Sequence, residues 1–213
     1  MVDTREDELE AIAFIGEVLG PLFLYDPTDA AIAPTYEMLA ALDVDEAARE
    51  WPLVDDDVAR EALALMTGGI AEGVGDDVVW EYRRLFVGPG PKAAPPWGSV
   101  YTDRECVVFG EATLALRQWM RENGISRPGD GTEPEDHIGL MLLLLAWVAR
   151  NRADLLDDYA AMHLLTWAPH FLEEMEAAAA SPFFEGLAAL TRASLAGVAS
   201  ARGLAVETPR FYR

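Results

Sequence analysis

Apolar positions along the chain recur at helical spacing. Leu9, Ile12, Ala13, Gly16 and Leu19 fall at i, i+3, i+4, i+7 and i+10, on one face of a helix that Pro21 is expected to stop. A weak helix follows around Pro34 to Leu42. Asp45 to Glu50 reads as a short helical turn ended by Pro52, and Asp55, Asp56 and Asp57 then read as cap and first turn of a helix running to Gly68 and Gly69. Acid at an opening turn complements the positive end of the helix dipole. Asp76 and Asp77 open the next helix in the same way, carrying Val78, Val79, Tyr82, Leu85 and Phe86 until Gly88, Pro89, Gly90 and Pro91 end it.

Glu111 to Asn123 is a further helix, with Ala112, Leu116, Trp119 and Met120 on one face and Gly124 just past its end. Pro134 to Asn151 is apolar all round and reads as a buried core helix. The last third predicts three helices, about Ala153 to Leu165, Ala168 to Ala180 and Pro182 to Arg202, with Pro169 and Pro182 near helix starts where a missing N–H costs nothing. Residues 87–109 form the longest non-helical stretch, and long loops inside compact domains tend to be functional. A short extended piece is expected at Tyr101 or over Val107 to Phe109. With no internal repeat or linker, the pattern predicts a single all-α globular domain of eight to ten helices over residues 1–213.

Composition narrows the function classes. The 213 residues are 51% hydrophobic, enough for a substantial core. Acidic residues number 37 and basic ones 16, a formal charge of −21, which disfavours nucleic acid and anionic lipid and favours a cationic partner. The lone cysteine, Cys106, forms no intrachain disulfide or thiolate cage, so a reducing, cytoplasmic setting is the default expectation. The acidic start, Met1 to Glu8, does not read as an export signal, and the apolar run Ile138 to Val148 is shorter than the ~20 residues of a membrane span. Stable membrane insertion is not expected.

Catalytic patterns are mostly missing. Gly88 to Lys92 lacks phosphate-loop spacing, and its prolines remove the donors that would cradle a phosphate. Ser99 lacks the second glycine of a nucleophile elbow and reads as a turn hydroxyl. His137, His163 and His170 lack the Glu-x-x-His spacing of di-iron bundles, so neither a metal nor a cofactor is expected. Thr132 with Glu135 fits a capping box, which explains Glu133, Glu135 and Asp136 but leaves His137 open between a packing and a site role. Arg83 and Arg84 read as a solvated helix face. In the loop Ala94 to Tyr101, two prolines stiffen a backbone that carries Trp97 and Tyr101. These rings either pin the loop to the core or, with Tyr82, Leu85 and Phe86, line a groove for an apolar peptide.

Four ordered runs carry a family resemblance: Glu81-Tyr82-Arg83-Arg84-Leu85-Phe86-Val87-Gly88-Pro89; Pro95-Pro96-Trp97-Gly98-Ser99-Val100-Tyr101 with Asp103-Arg104-Glu105; Phe109-Gly110-Glu111 with Leu114 to Glu122; and Glu133-Pro134-Glu135-Asp136-His137. Together they resemble the TorD/DmsD family of Tat proofreading chaperones, most closely its DmsD branch, over most of the chain after about residue 76. The first 70 residues match only in being acidic and helical.

The resemblance implies a cytoplasmic, all-helical chaperone rather than an enzyme, acting as monomer or homodimer. Its implied partner is the twin-arginine signal peptide of a molybdopterin oxidoreductase catalytic subunit of the DMSO reductase class, held back from export until the cofactor is inserted. The implied leader-binding residues are Tyr82, Leu85, Phe86, Pro96, Trp97, Gly110, Asp136 and His137, with Asp136 pairing a leader arginine and His137 hydrogen-bonding its backbone. Gly90 stands where related members carry a tryptophan. Two other readings are a same-fold assembly chaperone for a non-exported molybdoenzyme subunit and a metal-dependent hydrolase built on Asp136 and His137.

Overall fold

The computed structural model describes residues 4–88, 90–126 and 131–213. Among them are eleven α-helices: α1 (Thr4–Leu24), α2 (Ala33–Ala40), α3 (Val44–Glu50), α4 (Asp56–Gly69), α5 (Asp76–Tyr82), α6 (Gly98–Thr102), α7 (Glu111–Glu122), α8 (Ile138–Asn151), α9 (Leu156–Tyr159), α10 (Ala168–Ala178) and α11 (Pro182–Ala201). The all-α expectation holds. Two helix pairs, α1 with α8 and α4 with α11, form the centre, and their side chains belong to one continuous apolar core.

Glycine sets how closely each pair approaches. A Cβ placed on Gly16 of α1 would lie 2.2 Å from the Leu142 carbonyl of α8, and one on Gly186 of α11 would lie 2.4 Å from the Ala62 carbonyl of α4. Neither backbone has room for a methyl group. Phe23 at the end of α1 packs 6.0 Å from Phe86 and 6.2 Å from Phe171, which draws the α5 and α10 regions onto the same core.

Several predicted boundaries move, each for a physical reason. Pro21 lies inside α1 instead of ending it. The carbonyl it deprives of a donor belongs to exposed Glu17, while Leu22 and Phe23 gain full burial by continuing the helix. The run after α5 widens into a π-helical turn, Arg83–Val87, and Gly88 ends it at φ +106°. The predicted helix Ala153 to Leu165 breaks up: Ala153–Leu155 is a 3-10 turn, α9 follows, and Ala160–Leu164 is a second π turn. Tyr101 is helical, in α6, and Val107 to Phe109 form no strand. The cap expected at Asp55 forms, accepting from the Asp57 amide, and Asp43, just ahead of the expected Asp45 to Glu50 turn, caps α3 by accepting from the Glu46 amide.

The largest correction is the start of α8. It begins at Ile138, not Pro134, so the Thr132–Glu135 capping box does not form and Glu133 to Asp136 lie ahead of the helix. Nor is α8 wholly buried, because Trp147 is 43% exposed and Leu140, Leu143 and Leu144 are half-buried. No helix among the described residues is long and apolar enough to cross a membrane.

The α1–α8 approach makes a paired test. Gly16→Ala is expected to cost about 2 kcal/mol or more, because main chain cannot yield as a side chain can. Gly68→Ala, whose Cβ would meet nothing within 4 Å, is expected to be neutral or to stabilise by up to ~1 kcal/mol through helix propensity. Thermal unfolding of both variants checks the contrast; equal melting temperatures would contradict it.

Candidate functional site

Two segments far apart in sequence are clasped by main-chain hydrogen bonds. The Ile138 amide donates to the Pro96 carbonyl at 2.8 Å and the Gly98 amide donates to the Asp136 carbonyl at 3.1 Å, so Trp97 and His137 sit opposite each other in an antiparallel bridge. Asp136 completes the clasp from inside. Its side chain accepts from the Ser99 amide at 2.7 Å and from the Thr113 hydroxyl at 2.7 Å, and the residue is 1% exposed. Ser99 lies in the first turn of α6, a helix with no side-chain cap of its own, so Asp136 caps α6 from another part of the chain.

His137 caps α8. Its Nδ1 accepts from the Gly139 amide at 3.1 Å, which fixes that nitrogen as unprotonated, and burial depresses the imidazole to about 3. The ring is therefore neutral near pH 7, and it serves as the cap of α8. Trp97 meets it edge-on with centroids 6.1 Å apart, donates its indole N–H to Glu133 at 3.1 Å, and carries the Lys92 ammonium 5.1 Å above its ring. Gly110 permits the crowding, since a Cβ there would lie 2.7 Å from Asp103 Oδ2 and 3.1 Å from the Ser99 Cβ.

Pro96, Trp97, Gly110, Asp136 and His137 thus converge on one place. Tyr82, Leu85 and Phe86 lie elsewhere and face the core: the Tyr82 hydroxyl donates to the Phe23 carbonyl at 3.1 Å, and Phe86 packs 6.0 Å from Phe184. The two groups are linked through main chain, because the Ala93 and Ala94 amides donate to the Arg84 and Leu85 carbonyls, each at 3.2 Å. All eight residues are buried and frame the 88–98 loop from its two ends.

Arg84 is more than a solvated residue. It forks onto buried Glu81 at 2.6 and 2.8 Å and donates to the Ala178 carbonyl, while Glu81 also accepts from the Ala180 amide. Burial works to raise the Glu81 carboxyl, but Arg84 and the Ala180 and Ser181 amides override it and hold it below its usual range. Arg83 pairs with Asp26 at 2.8 Å.

What faces solvent beside this frame went unnoticed in the sequence. Leu140, Leu143, Leu144 and Trp147 of α8 form, with Ile125, Ser126 and Glu135, an apolar cleft of about 240 Å³. Their i, i+3, i+4, i+7 spacing was the available signal, hidden because the rest of α8 is equally apolar. Val107, Val108 and Phe109 are also exposed, with the Arg117 guanidinium 5.3 Å from the Phe109 ring centre. Gly90, at φ +103°, faces open space. No group of three or more metal-binding side chains occurs among the described residues.

Comparison with known proteins places the chain in a family. The nitrate reductase delta subunit family pattern matches residues 52–175. The probable Tat proofreading chaperone DmsD of Haemophilus influenzae is 38% identical over 208 residues, covering 98% of this chain and 100% of its own. The chain belongs to the TorD/DmsD family. The family's Tat proofreading chaperone DmsD from Salmonella typhi is 43% identical over 185 residues, 86% of this chain and 87% of its own, and a chaperone protein TorD from Vibrio cholerae is 30% identical over 105 residues, 44% and 47% of the two chains. The clasp lies inside the matched region.

Two predictions follow from the clasp. Asp136→Ala leaves the Ser99 amide and the Thr113 hydroxyl without their acceptor, and is expected to destabilise the fold by about 2–4 kcal/mol; a double-mutant cycle with Thr113→Val in denaturant unfolding should show coupling of about 1 kcal/mol. For His137 the folded value, about 3, lies below the ordinary 6.5, so the unfolded chain takes up the proton first as pH falls. Its stabilising contribution is complete above pH ~6.5 and declines by up to ~1.4 kcal/mol per pH unit below it. His137→Asn, which keeps a cap acceptor but does not titrate, should flatten that part of the stability profile; an unchanged slope would assign it to other groups.

Proposed function

We propose that this protein is a Tat proofreading chaperone, which binds the twin-arginine leader of a DMSO reductase-class molybdoenzyme in the cytoplasm and delays its export until cofactor insertion and folding are complete. It acts by binding rather than catalysis, as monomer or homodimer. The observation that carries the reading is an exposed apolar cleft opening within a turn of His137, on an acidic chain whose relatives are named for this task. A leader joins a basic segment to an apolar one. The surplus of acid steers the first, and Leu140, Leu143, Leu144 and Trp147 bury the second.

The eight buried residues serve this reading as the frame that holds the loop and the start of α8. Asp136 already has donors on both oxygens, so it supports the leader surface from beneath. Four apolar anchors, each already partly buried, gain less than the ~1.5–3 kcal/mol of a side chain that starts fully exposed, and against ~4–15 kcal/mol for association they leave modest and reversible affinity. Release is part of the job.

A second reading, favoured by the family's own description as a nitrate reductase subunit, is assembly of a molybdoenzyme subunit that is not exported. Titration of a synthetic twin-arginine leader peptide against the purified protein separates the two. Micromolar binding is expected, weakening several-fold between about 50 and 500 mM salt, and at least fivefold weaker with Trp147→Ser at unchanged melting temperature. Capture of a leaderless molybdoenzyme subunit, with no leader binding, would favour the second reading.

A further inference from the structure

The segment after α11 is seated on the loop that the clasp holds. Gly203 turns the chain at φ +61°, Leu204 and Val206 pack on the core, and residues 208–213 then cross the outer face of the 92–106 region. The Tyr212 amide donates to the Tyr101 carbonyl at 2.9 Å. The Arg213 guanidinium donates to the Lys92 and Ala93 carbonyls at 2.9 and 3.2 Å. Phe211 stacks on His170 with centroids 4.0 Å apart and planes 10° apart, and His170 Nε2 lies 2.8 Å from the Arg213 main-chain oxygen.

These contacts describe a receptor as much as an anchor. On the receiving side, the guanidinium and the Tyr212 amide meet only main-chain carbonyls and the aromatic ring meets one imidazole face, so the strip selects for an arginine, an aromatic ring and an extended backbone. Tyr101 offers its carbonyl because it lies in the last turn of a five-residue helix, where carbonyls lack intrahelical donors. On the docking side, Thr208 to Arg213 carries two arginines and no acidic side chain in a chain of charge −21. Tyr212 and Arg213 remain exposed while bonded, so water competes for both. The strip adjoins the clasp, because the residue whose carbonyl holds Arg213 is Lys92, whose ammonium covers Trp97.

We propose that the strip formed by Lys92, Ala93, Tyr101 and His170 is a docking site for an arginine-bearing, aromatic-containing extended peptide, and that residues 208–213 occupy it in cis until such a peptide displaces them. This rests on the chaperone reading for the identity of the incoming peptide, the basic part of a twin-arginine leader. Leader affinity is then scaled down by the fraction of molecules whose strip is open.

The test uses the full chain, a labelled twin-arginine leader peptide and the unlabelled hexapeptide Thr208 to Arg213. Arg213→Ser, and Arg213→Ser combined with Phe211→Ser, should raise leader affinity by about three- and tenfold, with the melting temperature confirming that both variants fold. The hexapeptide should bind the double variant and displace the leader, while a hexapeptide with both arginines replaced by serine should do neither. Unchanged or weaker leader binding by the variants, or a hexapeptide that does not compete, overturns the proposal. If neither the wild type nor the variants bind the leader, the chaperone reading fails instead; the hexapeptide titrated alone against the double variant then still decides whether the strip takes an arginine-aromatic peptide.

Discussion

A carboxylate without water needs donors on both oxygens, and around Asp136 that need fixes three segments at once. The Ser99 amide belongs to α6, the Thr113 hydroxyl to α7, and the aspartate to the approach to α8. Leaving any of these groups unmet costs about 1–3 kcal/mol, and more for the charge itself. The three segments therefore move together or not at all. The main-chain bridge between Trp97 and His137, the cap that His137 places on α8 and the seat of the long loop all follow from that constraint. A second buried carboxylate, Glu81, plays the same part at the other end of the loop, gathering Arg84 and the Ala180 amide.

Where a signal is local, the sequence carries it. Asp43 and Asp55 cap the helices they precede, because the amides they serve lie two or three residues away. Asp136 looks alike in sequence and acts differently: its donors lie 37 and 23 residues away, so its tertiary partners outcompete the capping box that Thr132 and Glu135 spell. Pro21 teaches the same lesson, since burial of Leu22 and Phe23 outweighs one missing hydrogen bond.

The candidate site divides along the same line. The family resemblance pointed to Asp136, His137, Trp97 and the rest of the frame, and the five residues of the clasp do meet. Their burial was not legible, because an acid and a histidine before an apolar helix read equally well as surface or interior. The outward layer was missed for the opposite reason. In α8 nearly every position is apolar, so the stripe through Leu140, Leu143, Leu144 and Trp147 has no polar background to stand against, and only the packing of α1 on its other side reveals it.

The charge of −21 takes on a different meaning once its pairs are traced. Arg60, Arg84, Arg117, Arg150 and Arg202 each bind carboxylates within the fold, so much of the chain's positive charge is spent internally and the acid surplus is a property of the remaining surface. Such a surplus acts over a Debye length of about 8–10 Å, which governs encounter rate more than bound-state geometry. Geometry has to come from directional acceptors instead. Arg213 meets such acceptors at the Lys92 and Ala93 carbonyls, where an arginine is read by the direction of its N–H bonds while the field that brought it there is left to the whole protein.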